Sequence, residues 1–282
     1  MSSMTSSQPF ILIEFFLLCI VLPTFIWTTN SGSMMFGFLW GAMVYTSLIW
    51  LRILYTGYVW SHLKLSSSPR HERQASSHSG DLEKSVGEAN ASTSLDPASA
   101  SSDAVASSRL RDDFMKEWNW GAMTWANIRP ILIKWVIGTI LICLFTWWYE
   151  PDRLFIIPRE MPQIIPFLII AYPLLSALPQ EFIFCSFFMK RYGEYIEKIP
   201  TFAGMTPERW KILISAIVFG YAHMLFLNWV APVFSFFGGL LFAYTYLKTR
   251  SLALVTFEHS LYGNSIFLAG IGYYFYSGGI NG

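Results

Sequence analysis

Apolar residues in this chain gather in long runs rather than in a single helical stripe or a strand-like alternation. A helix that crosses a bilayer needs about 20 of them. Runs of that order lie at Phe10–Trp27, Met34–Tyr58, Ile131–Tyr149, Gln163–Met189, Lys211–Trp229, Pro232–Leu247 and Leu252–Tyr276. The sixth is short and follows a tight connection through Val230 and Ala231, so it reads as a tilted or partly buried helix. The pattern predicts an all-α fold, a polytopic membrane helical bundle with about seven transmembrane helices.

Between the second and third runs the pattern reverses. Ser66 to Ser108 is rich in Ser, Ala, Asp and Glu and almost free of large apolar residues. Such a stretch cannot bury enough surface to offset its chain entropy, which predicts one long disordered loop. Arg109 to Arg129 then mixes charges with Trp118, Trp120 and Trp125, as expected of an amphipathic segment lying at a membrane interface. The expected organisation is two transmembrane helices in residues 1–60, the loop and interfacial segment in 61–130, and a transmembrane helical domain in 131–282.

Composition agrees: 54% of the residues are apolar and 13% charged, with mean hydropathy +0.42, which excludes an ordinary soluble enzyme. A net charge of +1 with no basic stripe gives no sign of a nucleic-acid partner, and the lipid bilayer is the expected surrounding. Cys19, Cys143 and Cys185 stand singly, without disulfide or metal-ligand spacing. The first run follows an uncharged stretch, Met1 to Gln8, and reads as a retained helix rather than a signal peptide. Lys and Arg collect in the loops 59–130, 190–210 and 248–251, while the other side receives only Arg153 and Arg159. The positive-inside rule therefore places the first set, with the N-terminus, in the cytoplasm.

Against this apolar background a few polar residues stand out. A carboxylate at membrane depth costs about 2.5–3.5 kcal/mol on insertion scales, so it marks a functional group by default. Glu181 is such a group, and His223 and His259 are the two histidines inside apolar runs. From the helical rise, Glu181 and His259 lie about 13 Å and His223 about 18 Å from the nearest basic residue bounding their runs. Three titratable groups on three helices thus share a layer. A carboxylate and two imidazoles in a dry cavity can deprotonate a water, directly or through a divalent metal such as Zn²⁺ held by Glu181, His223 and His259. The spacing is not the HExxH zincin pattern. The structural alternative for each is an interhelical hydrogen bond worth ~0.6–2 kcal/mol. Glu14, Lys134 and Glu258 read as members of interhelical ion pairs.

These residues resemble the motifs of the CPBP intramembrane proteases, a family that includes CAAX prenyl endopeptidases and bacteriocin-processing or immunity proteins. The family pattern is Glu-Glu-xxx-Arg, Phe-xxx-His and His-xxx-Asn on successive helices. Here it reads Gln180-Glu181 with Cys185, then Phe219 to His223, then His259 with Asn264 one position late. The resemblance implies an intramembrane endopeptidase that cleaves a membrane-associated peptide or protein near the cytoplasmic face. Glu181, His223 and His259 would be catalytic, with Gln180, Phe219, Asn264 and Cys185 in support. Gln180 replaces the first motif glutamate and cannot take up a proton; Cys185 replaces the arginine that would pair with a carboxylate. These departures keep a second reading open, a catalytically silent binding or immunity protein. A third is a proton-coupled transporter, which the lack of a recognisable inverted repeat disfavours.

Overall fold

The computed structural model describes residues 8–29, 37–49, 51–52, 116–202 and 204–276. The chain divides into two compact units, 1–48 with 115–282 and, separately, 49–114. The Ser-rich loop of the second unit lies outside the described residues. Among the described residues there is no strand, only an isolated bridge between Phe202 and Met205.

A helix falls on each of the seven apolar runs. Helix α1 passes through Gln8–Phe16, Leu17–Val21 and Leu22–Thr28; α2 is Gly37–Ile49; α3, Trp125–Tyr149; α4, Pro162–Ile196; α5, Pro207–Ala222; α6, Val230–Thr249; α7, Leu252–Ala269. Of these, α3, α4 and α6 are long and apolar enough to cross a membrane.

Their ends follow local chemistry. Thr206 caps α5, accepting from the Arg209 amide with Pro207 in the first turn, and Ser251 caps α7 through the Leu254 amide. The side chain of Asn228 accepts from the Ala231 amide at the start of α6. Val230 and Ala231 therefore belong to the first turn of α6, which reaches 20 residues. The run expected to be the shortest helix is longer than its predecessor, since α5 has 16 residues and stops at Ala222. The last run also breaks earlier than its hydropathy suggests. Gly270 adopts φ 112°, and a Cβ there would run into the Arg153 carbonyl, so the chain turns and continues as the short 3₁₀ stretch Ile271–Phe275.

Helix α4 is the least regular. Prolines at 162, 166, 173 and 179 remove backbone donors, and the helix widens into π turns at Pro173–Ala177 and Phe182–Phe187, on either side of Gln180 and Glu181. Between α5 and α6 the contact is close because it is glycine-lined. A Cβ on Gly239 would sit 2.9 Å from Ala216 Cα, and one on Gly220 3.0 Å from the Pro232 carbonyl. Small residues of this kind let helix backbones approach where apolar solvent gives little drive to associate.

Polar groups tie the helices together. Arg191 holds Glu14 with two hydrogen bonds, 3.1 and 2.6 Å, joining α4 to α1, as Glu14 was expected to be held. Lys134 on α3 donates to Glu258 on α7 at 2.7 Å, which identifies the basic partner of Glu258. Ahead of α3, Glu117 accepts from Ser186 on α4 and Tyr246 on α6 and pairs with Lys190.

Removing one member of a buried ion pair strands the other, at a cost of about 3–5 kcal/mol. Lys134→Met is expected to lower the unfolding temperature in detergent sharply, and Lys134→Met with Glu258→Gln to recover most of the loss. Equal destabilisation of the single and double variants would show that the pair is not what matters.

Candidate active site

Glu181 sits at the end of the regular turn between the two π segments of α4, where it is 1% exposed. Its Oε1 receives a hydrogen bond from His259 Nδ1 on α7 at 2.7 Å. A carboxylate taken out of water needs a donor, and the imidazole supplies one where the family pattern would place an arginine. Cys185, one turn on, is buried beside the same carboxylate.

The imidazole of His259 is fixed on every side. Its ring stacks on Phe242, with centroids 4.6 Å apart and planes 14° apart, and meets the edge of Phe219 at 5.7 Å. Its Nε2 faces the hydroxyl of Tyr172 at 3.1 Å. With Nδ1 bonded to Glu181, both ring nitrogens are engaged.

His223 lies where α5 stops. In a continuous α-helix the Phe219 carbonyl would accept from the backbone amide of residue 223. Here the chain tightens into the 3₁₀ turn His223–Phe226, and the carbonyl instead accepts from His223 Nδ1 at 2.7 Å. Since a carbonyl can only accept, Nδ1 carries the proton and Nε2 is left as a lone-pair acceptor. Phe219 thus has two tasks: its carbonyl fixes the tautomer of His223, and its ring stands between the two imidazoles, 4.6 Å from His223 and 5.7 Å from His259.

These groups border an apolar cavity of about 340 Å³. His223, Gln180, Tyr172 and Ser176 line it, among Leu18, Phe38, Phe184 and other apolar side chains, whereas Glu181 and His259 lie behind that lining. Gln180 turns its Nε2 back to Ser176 at 2.9 Å. Asn264 bonds its Nδ2 to the Ser260 carbonyl of its own helix at 2.9 Å and does not reach the cavity. Three of these motif residues each keep a buried oxygen with no hydrogen-bond partner: Gln180 Oε1, Glu181 Oε2 and Asn264 Oδ1. Buried polar atoms rarely stay unpaired, so orphans gathered on one site call for donors from a water or a ligand.

The three donors expected for a metal do not converge. His259 is engaged at both nitrogens, and among the described residues no three His, Cys, Asp or Glu side chains form a group that could hold a metal ion. The chemistry of the site is therefore derived from its protein groups and water alone.

Sequence reasoning placed Glu181, His223 and His259 in one layer, and the structure brings the first and last into contact with His223 one aromatic ring away. It missed Tyr172, Ser176 and Phe242. Tyr172 precedes Glu181 by nine residues, which on an undistorted helix are about 180° apart. The π turn between them carries no periodic signature.

A helical, membrane-embedded bundle with a buried Glu–His pair beside an apolar cavity defines the class. Residues 162–264 match the family model described as type II CAAX prenyl endopeptidase Rce1-like. The matched stretch runs from the start of α4 to Asn264 and holds all three motifs, so the resemblance read from them is borne out, and with it an integral membrane protein of an intramembrane protease family. No curated protein and no solved structure matches the chain.

If the bond between Glu181 and His259 secures α4 to α7, Glu181→Ala leaves a buried donor unmatched, at a cost of about 1–3 kcal/mol. A double-mutant cycle with His259→Phe, read by unfolding in detergent, is then expected to show coupling of the same order. Additive losses would mean that the bond contributes nothing.

Proposed function

We propose that the protein is an intramembrane endopeptidase of the CPBP/CAAX type, hydrolysing a peptide bond of a membrane-associated substrate near the cytoplasmic face. The observation that carries this is the arrangement of acceptors: His223 with Nε2 open on a residue of the cavity wall, and the unpartnered oxygens of Gln180 and Glu181 beside it. A water there gives one hydrogen to His223 Nε2 and the other to an orphaned oxygen, and its oxygen attacks the carbonyl carbon. His223 then passes the acquired proton to the leaving nitrogen as the C–N bond breaks, which balances the reaction with one group acting first as base and then as acid. Gln180 cannot be that base, but an amide oxygen is enough to orient the water. The apolar wall suits a substrate bearing an apolar segment or lipid. In this reading the protein is multi-pass, with its N-terminus in the cytoplasm.

One observation favours a second reading. Gln180 stands where the family has a proton acceptor, and Cys185 where it has an arginine, so a silent member that binds its target without cleaving it is the rival.

Cleavage of membrane-anchored and lipidated peptides by the purified protein in liposomes separates the two. Hydrolysis is expected, with His223→Ala, His259→Ala and Glu181→Gln each lowering kcat by roughly 10²-fold or more. Folded protein that cleaves none of the peptides, and gains no activity from Gln180→Glu with Cys185→Arg, would favour the silent reading.

A further inference from the structure

Peptide hydrolysis needs more than acceptors. As water adds to the peptide carbonyl, negative charge develops on its oxygen, and a fixed donor at that position lowers the barrier. At this site the N–H groups of the motif side chains point elsewhere: Gln180 Nε2 to Ser176, His223 Nδ1 to the Phe219 carbonyl, and His259 Nδ1 to Glu181. The Glu181–His259 pair also lies behind the cavity lining, without direct access to a substrate.

Tyr172 resolves both difficulties. It lines the cavity, and its hydroxyl is 3.1 Å from His259 Nε2. Ser176, which receives the Gln180 amide, also faces that hydroxyl. A polar chain thus runs from Gln180 through Ser176, Tyr172 and His259 to Glu181. The ring of Tyr172 is held against α7 at Gly263, where a Cβ would overlap it.

We propose that Tyr172 is a catalytic residue of this site. Its hydroxyl donates to the oxygen of the scissile carbonyl, and the Glu181–His259 pair aims that O–H bond from behind. When His259 carries a proton on Nε2, that N–H donates to the Tyr172 oxygen and the phenolic hydrogen is free to point into the cavity. No covalent bond to Tyr172 forms or breaks, because the proton lost by water travels through His223. This assignment rests on the hydrolytic reading above.

The test compares wild type, Tyr172→Phe, Gly263→Ala and the double variant, all in liposomes with the same lipidated peptides. Tyr172→Phe keeps the ring and removes the donor, so kcat should fall by about 10²-fold with KM changed less than about two-fold. Gly263→Ala displaces the ring and should lower kcat in the same sense, yet add nothing in the Tyr172→Phe background. Should Tyr172→Phe fail to fold, Gly263→Ala alone decides, and an unchanged kcat overturns the assignment. Cleavage abolished by His223→Ala but retained by Tyr172→Phe, or equal losses from Gly263→Ala in both backgrounds, overturns the role of Tyr172 and leaves the hydrolytic reading standing. Absence of cleavage by wild type overturns both.

Discussion

A carboxylate buried among apolar helices has to be met by a donor, and the bond from His259 to Glu181 meets that demand across α4 and α7. Much of the site follows from it. The bond occupies His259 Nδ1, which turns Nε2 toward Tyr172 and presses the ring flat on Phe242. It also explains how the chain accommodates Cys185, since the pairing expected from an arginine on the same helix comes from an imidazole on another.

The irregularity of α4 has its origin in the same requirement. A straight helix would distribute Tyr172, Ser176, Gln180 and Glu181 around its circumference by the 100° step. Prolines and the two π turns redistribute them, so that Gln180 and Tyr172 meet the cavity while Glu181 meets α7. Departures from ideal helix geometry are costly, and they concentrate here at the residues that carry the chemistry.

Much of this was legible in the chain. Seven apolar runs mark seven helices, because burying backbone polar groups in an apolar medium leaves few other solutions. Glu181, His223 and His259 stood out for the same reason that they are costly. The pairing of Glu14 and of Lys134 with Glu258 followed from charge in apolar segments. What escaped were features that depend on where a helix ends or widens. The break after Ala222, the turn at Gly270 and the π segments are decided by a few contacts, and hydropathy averages over them. Tyr172 and Phe242 looked like ordinary aromatic residues in an apolar run, and only the position of His259 distinguishes them.

The termination of α5 has a wider consequence. The proton on His223 is located by a main-chain carbonyl that the end of the helix sets free, so no neighbouring side chain is needed to maintain it. Side chains around the site can then change, as at positions 180 and 185, without altering which nitrogen faces the cavity. The most durable part of this centre is therefore written in the course of the backbone, and the amino acids around it are free to drift.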